Sequence, residues 1–184
     1  MLRTIHYQYT KHKTAIKKIY EESFPSSERF DFSILRKCNE ESNVHLSCIL
    51  RNDYPVGMQF TVGLPNDITY LMYYAIDKEY RNQSIGSQAL QNLVIAKDKI
   101  ILCIEKPVDN NTQRRKMFYL RNGFYETGMI FEDTGELYEV LVSCKEYKPT
   151  VQDLLNRYKF MTNNKSIWKQ IKSTFNVEYI NLIK

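Results

Sequence analysis

Apolar positions change period several times along the chain, and each change predicts an element. Leu2 to Tyr9 alternates in character, with Ile5 and Tyr7 on one face, which predicts a first strand. Ala15, Ile16, Ile19 and Tyr20 fall on one stripe of a helix over 14–22. Phe24-Pro25-Ser26-Ser27 stops it, because proline cannot continue a helix and disfavours helical backbone before it. Asp31 or Ser33 is placed to cap a second short helix through Leu35 and Cys38. Strands follow over 44–50 and 56–62, joined at Asn52-Asp53-Tyr54-Pro55, and then over 68–76 after the turn at Leu64-Pro65-Asn66-Asp67. The run from Ile68 to Ile76 is apolar on both faces, as in a central strand covered on both sides.

A helix over about 84–97 turns Ala89, Leu90, Leu93 and Val94 inward, and Ile100 to Ile104 reads as a buried strand. The next helix, over 112–122, stops at Asn122-Gly123. Two final strands, 124–132 and 137–144, close a hairpin around Asp133-Thr134-Gly135. The strand–helix–strand unit in the middle implies one parallel pair, and the hairpins imply antiparallel pairs elsewhere. The fold class is therefore α/β of the α+β kind: a mixed, mostly antiparallel sheet with helices on both faces. Beyond residue 145 the pattern is helical again, through Val151, Leu154, Leu155 and Tyr158, then Ile167, Trp168 and Ile171. The expected organisation is one domain over 1–145 and a C-terminal helical extension over 146–184 packed on it.

Composition narrows the function. A 43% apolar content suffices for a core in a chain of 184 residues. The net charge of +5 is scattered, with no basic run of the kind that grips nucleic acid, so nucleic acid is not the expected partner. No stretch reaches the roughly 18–20 apolar residues of a membrane helix, and no apolar leader opens the chain. The cysteines, Cys38, Cys48, Cys103 and Cys144, form no Cys-x-x-Cys pair, and the last three sit in strand-like runs where buried thiols are common. A reducing cytoplasm and no metal site are expected. His6, His12 and His45 fall in no recognisable site.

The chemistry concentrates in Tyr74-Ala75-Ile76-Asp77-Lys78-Glu79-Tyr80-Arg81-Asn82-Gln83-Ser84-Ile85-Gly86-Ser87. A buried strand runs into a short turn, and small residues then open a helix. The first helical N–H groups lack internal partners and lie at the positive end of the helix dipole. Ser84, Gly86 and Ser87 let an anion approach the backbone, and Arg81 adds a full charge. The glycine density of a dinucleotide fingerprint and the Gly-Lys-Ser/Thr ending of a P-loop are both missing.

This stretch resembles motif A of the GNAT acetyltransferases, Arg/Gln-x-x-Gly-x-Gly/Ala after the fourth strand, with Arg81, Ser84 and Gly86 at the marked positions. Ser84 stands where the family usually has glycine, and Asn82 replaces another frequent glycine. Serine keeps the turn small but gives up easy access to positive φ. Downstream, Phe118, Tyr119, Gly123 and Phe124 resemble motif B, Phe-Tyr-x-x-x-Gly-Phe. Glu22-Ser23-Phe24-Pro25-Ser26-Ser27-Glu28-Arg29 is similar to the family's acceptor-side helix and loop. The resemblance spans roughly residues 1–145.

What the resemblance implies is an acetyl-CoA-dependent N-acetyltransferase acting on a primary amine, with the central parallel pair splayed to admit pantetheine. Tyr74, Ala75 and Ile76 would contact pantetheine and the acetyl group, and Arg81, Asn82, Gln83, Ser84, Ile85, Gly86 and Ser87 would hold the pyrophosphate. Tyr119 would be the general acid. Glu105, ending the fifth strand, is the candidate base or ammonium anchor, with Glu21, Glu22 and Glu28 weaker acceptor-side candidates. The acceptor is a small-molecule or peptide amine, and the sequence leaves room for a homodimer. Two competing readings are a non-catalytic acyl-CoA-binding module, which Ser84 keeps open, and a toxin that acetylates charged tRNA.

Overall fold

A computed structural model describes residues 1–133, 135–175 and 180–183. Its strands are β1 (Leu2–His6), β2 (Val44–Arg51), β3 (Tyr54–Leu64), β4 (Ile68–Ile76), β5 (Lys99–Glu105), β6 (Tyr125–Asp133), β7 (Glu136–Val142) and β8 (Asn181–Ile183). The α-helices are α1 (Lys13–Ser23), α2 (Phe32–Cys38), α3 (Ile85–Ala96), α4 (Asn110–Leu120), α5 (Val151–Lys159) and α6 (Lys165–Thr174). The expected order from the first strand to the closing hairpin is the observed one. Thr134, within the expected hairpin turn, lies outside the described residues, as do 176–179 and 184 of the extension. The first strand is shorter than its alternation suggests, because Tyr7–Tyr9 tightens into a single 3₁₀ turn. Asp31, not Ser33, caps α2, accepting a hydrogen bond from the Ser33 N–H.

All eight strands form one sheet in the order β1-β2-β3-β4-β5-β7-β6-β8. Every pair is antiparallel except β4 with β5. The parallel pairing covers only Ile68 with Lys99, Thr69 with Ile100 and Tyr70 with Ile101. Beyond it β4 stays on β3 to Ile76 while β5 stays on β7 to Glu105, so the two central strands part. A bulge marks the start of the gap: Thr61 faces Leu71 and Phe60 faces Tyr73, leaving Met72 as an extra residue in β4. Bulges bend a strand and raise its twist, which turns β4 away from β5.

The gap separates two packed layers. On one face Leu71, Ile100, Leu102 and Ile104 join Leu90 and Leu93 of α3 and Tyr119 of α4. On the other, Tyr70, Tyr73 and Ile101 join residues of α1 and α2. The C-terminal segment belongs to this second layer: Leu154, Tyr158, Met161, Ile167 and Ile171 are all buried in the same core. It also adds β8 beside β6, a strand that the sequence pattern does not announce. Cys38 and Cys48 are buried, while Cys103 and Cys144 are only half-buried; Cys144 falls beyond the end of β7.

One ion pair ties the segment down. Arg157, 3% exposed, donates to Asp133 at 3.0 Å and to the Leu154 carbonyl at 3.0 Å. Its guanidinium also lies over the rings of Tyr158, Phe131 and Tyr70, at 4.4, 5.2 and 5.7 Å from their centroids. Taking a charge out of water is costly, and removing one partner of such a pair leaves that cost uncompensated. Arg157→Ala should therefore lower stability by about 3–5 kcal/mol, read from the denaturant midpoint. A loss below about 1 kcal/mol, the value of a surface pair, would contradict this placement.

Candidate acetyl-transfer site

The turn after β4 carries the anion cradle. Asn82 and Ser84 both adopt left-handed backbone, at φ of 60° and 59°. These are the two positions where glycine would be expected, so the turn keeps its shape despite the departures. The conformation costs a non-glycine residue roughly 1–2 kcal/mol. The first turns of α2, α4, α5 and α6 are each capped by a side chain, from Asp31, Asp109, Thr150 and Asn164. Ser84 at the start of α3 makes no such bond. The first N–H groups of α3 are therefore left for a ligand or water.

Three arginines converge on this turn from different elements. Arg81 donates through Nε to the Ile76 carbonyl at 2.9 Å, which fixes its exposed guanidinium beside the end of β4. Arg114 of α4 donates to the Asn82 side chain at 2.6 Å, and Arg51 of β2 donates to the Gln83 side chain at 2.8 Å. The sequence singles out only Arg81. Arg51 and Arg114 lie 32 positions from their partners and carry no local signal.

Gly86 has a packing reason of its own. A Cβ there would meet Ile76 Cγ1 at 3.3 Å and Phe118 Cζ at 3.4 Å. The Gly86 carbonyl accepts from the Tyr74 hydroxyl at 2.6 Å, and the Tyr74 ring stacks on Phe118 at 6.4 Å. Gly86 thus lets α3 close onto β4 and α4. Ala75 and Ile76 lie on the unzipped stretch of β4, whose edge toward β5 has no strand partner.

Tyr119 and Glu105 stand on opposite faces of the sheet beside the gap. Tyr119 is buried with Ile104 and Leu102, and its ring meets Phe124 edge-on at 5.7 Å. Burial pushes its hydroxyl up to about 12, with Arg115 pulling the other way. Glu105 follows Ile104 and so points to the other face, that of Cys103. It accepts from Arg115 at 3.0 Å. Arg115 lies one helical turn before Tyr119, which lets it bear on both groups; sequence spacing alone gave it no role. Lys116 secures α4 to the final hairpin through Glu126 and Glu139.

Glu28, from the connection between α1 and α2, joins Glu105 on that second face. Burial, a hydrogen bond with Glu105 and the repulsion of its charge push Glu28 up to about 7. Arg115 opposes the shift, and Glu136 adds to it. Glu21 and Glu22, its fellow acceptor-side candidates, stay on α1 in exposed pairs with Lys17, Lys18 and Lys78. Of the histidines, His6 and His45 bond each other at 2.7 Å, far along the sheet from the gap. Among the described residues no cluster of three or more His, Cys, Asp or Glu could hold a metal ion. No helix among them is long and apolar enough to cross a membrane.

Residues 43–126, which span β2 to the start of β6, match the family model of the acetyltransferase (GNAT) domain. Over that stretch the chain is similar to a GNAT acetyltransferase domain. Solved structures agree on the fold. A Bacteroides thetaiotaomicron protein assigned to the GNAT family is 24% identical, with a TM-score of 0.66 over 80% of this chain and 88% of its own. A ribosomal-protein alanine N-acetyltransferase from Escherichia coli is 17% identical, with a TM-score of 0.59 over 77% of this chain and 92% of its own. A GNAT-family acetyltransferase from Elizabethkingia anophelis, solved with acetyl-CoA bound, is 14% identical, with a TM-score of 0.56 over 77% and 96%. No curated protein sequence matches the chain.

Two substitutions test this geometry. Gly86→Val adds methyl groups where Ile76 and Phe118 already sit, and overpacking of this kind costs about 1–3 kcal/mol. Its melting temperature should fall, and Gly86→Ala should fall much less; equal melting of valine and wild type would disprove the close packing. Glu28→Gln removes a carboxylate whose proton is held more tightly folded than unfolded. For wild type, stability should then decline as pH rises from about 4.5 to about 7 and level off above. The glutamine variant should lack that decline and melt higher than wild type above pH 7; parallel melting curves across this range would exclude the shift.

Proposed function

We propose that this protein transfers an acetyl group from acetyl-CoA to a primary amine by direct attack. The observation that carries the reading is the parting of β4 and β5 after three residue pairs, with an uncapped helix start at the outer end of β4. Together they offer an unpaired strand edge for an amide-bearing arm and N–H donors for a pyrophosphate. Tyr74, Ala75 and Ile76 would flank the arm, and the turn from Arg81 to Ser87 would hold the phosphates.

In the reaction the amine nitrogen bonds to the acetyl carbon and the carbon–sulfur bond breaks. The amine must first lose a proton, which Glu105 takes directly or through water on the acceptor face. The departing thiolate takes a proton from the Tyr119 hydroxyl on the cofactor face, and the second proton shed by the nitrogen as the amide forms returns to Tyr119 through water. A hydroxyl held near 12 by burial stays protonated at neutral pH and so remains a donor. Arg115 neutralises Glu105 between turnovers and keeps it oriented. The Escherichia coli neighbour is named as a ribosomal-protein alanine N-acetyltransferase.

The test is release of free CoA across a broad amine panel, followed by two variants with the best acceptor. Tyr119→Phe keeps the ring and its packing and removes one hydroxyl. Turnover should fall about 10²-fold, the scale of general acid catalysis, with the Michaelis constant for acetyl-CoA little changed. Tyr119→Ala should in addition weaken acetyl-CoA binding by opening the packing against Phe118 and Phe124. A fully active phenylalanine variant would take Tyr119 out of the mechanism.

A further inference from the structure

A cavity opens on the second face of the sheet, directly over the gap. Met72 and Cys103, just beyond the last paired residues of β4 and β5, line its inner end. Glu28 stands at its half-exposed rim. Its walls are aromatic: Tyr70, Tyr73 and Tyr138 from the sheet, and Tyr158 and Phe175 from the C-terminal segment. Phe175 stacks parallel to Tyr158 at 5.8 Å and meets Phe30 edge-on at 4.7 Å, so the far wall is a packed layer.

Charge divides this cavity along its depth. A carboxylate stands at the rim, that of Glu28, and the charges of Glu105 and Glu136 bear on it. A guanidinium stands at the floor, where Arg157 is buried against Asp133. One ammonium at the rim is favoured; deeper in, Arg157 and Asp133 already compensate each other, so a second cation would lose its water without gaining a counter-charge. The space between is lined by ring faces, which reward a flat or apolar body.

We propose that this cavity is the acceptor pocket, and that the C-terminal segment makes it selective for a compact monoamine with an aromatic or apolar body. The proposal rests on the acetyl-transfer reading above and deepens it. Tyr158 and Phe175 wall the cavity, which leaves room for a compact body rather than a continuing chain, and the paired Arg157 and Asp133 offer no counter-charge to the second ammonium of a polyamine. The segment is thereby a specificity element as well as part of the core.

The experiment compares phenethylamine, spermidine and a tetrapeptide with a free N-terminus as acceptors, following free CoA with the full chain. Phenethylamine should exceed each of the others by about tenfold or more in kcat/KM, the scale of one well-filled apolar pocket. Phe175→Ala should raise the KM for phenethylamine about tenfold and narrow that preference, while the melting shift given by acetyl-CoA persists. Spermidine or the peptide matching phenethylamine in wild type would overturn the proposal without needing any variant. So would a Phe175→Ala protein that keeps the acetyl-CoA shift and the full preference. Absence of CoA release with every amine, together with no acetyl-CoA shift, would overturn the acetyl-transfer reading itself and this inference with it.

Discussion

The parting of β4 and β5 is the constraint on which the rest of the molecule depends. A parallel pair normally continues for the length of its strands, since each unpaired backbone group costs free energy when buried. Here pairing ends at Tyr70 and Ile101, yet both strands run on, each held by its outer neighbour. The extra residue Met72 turns β4 outward, and β7 keeps β5 in line. The hydrogen-bonding edges so exposed give this sheet somewhere to receive an extended ligand arm.

The two faces of the gap are built for different work. On the α3 and α4 face the contacts are close and apolar, with Gly86 letting α3 approach β4 and Tyr119 sunk among leucines and isoleucines. On the opposite face carboxylates gather at a rim above an aromatic cavity. Arg115 connects the two, paired with Glu105 and one turn from Tyr119. In the proposed acetyl transfer Tyr119 would donate its proton on one face and Glu105 would accept one on the other.

Much of this was legible in the chain. The double-sided run from Ile68 to Ile76, the inward stripe of α3 and the Asn122-Gly123 stop each follow from local periodicity or turn chemistry, and these suffice for the sheet's central order. The cradle at Ser84 to Ser87 was legible for the same reason, being a strand end and a helix start joined by a short turn. What was not legible depends on distant partners. The bulge at Met72 exists only as a mismatch between two strands. Arg157 sits among the apolar positions of α5, but its meaning needs Asp133, 24 residues earlier. The strand β8 is three residues long and is specified by the edge of β6 rather than by its own pattern.

The central claim is that the gap and the cradle receive acetyl-CoA, and thermal unfolding in the presence of acetyl-CoA tests it most directly. A ligand that binds only the folded state stabilises it by about 2.7 kcal/mol at a hundredfold excess over its dissociation constant. The account predicts a melting temperature that climbs with acetyl-CoA concentration, and a much weaker climb when Arg81, Arg51 and Arg114 are replaced together by alanine. A melting temperature indifferent to millimolar acetyl-CoA would contradict it.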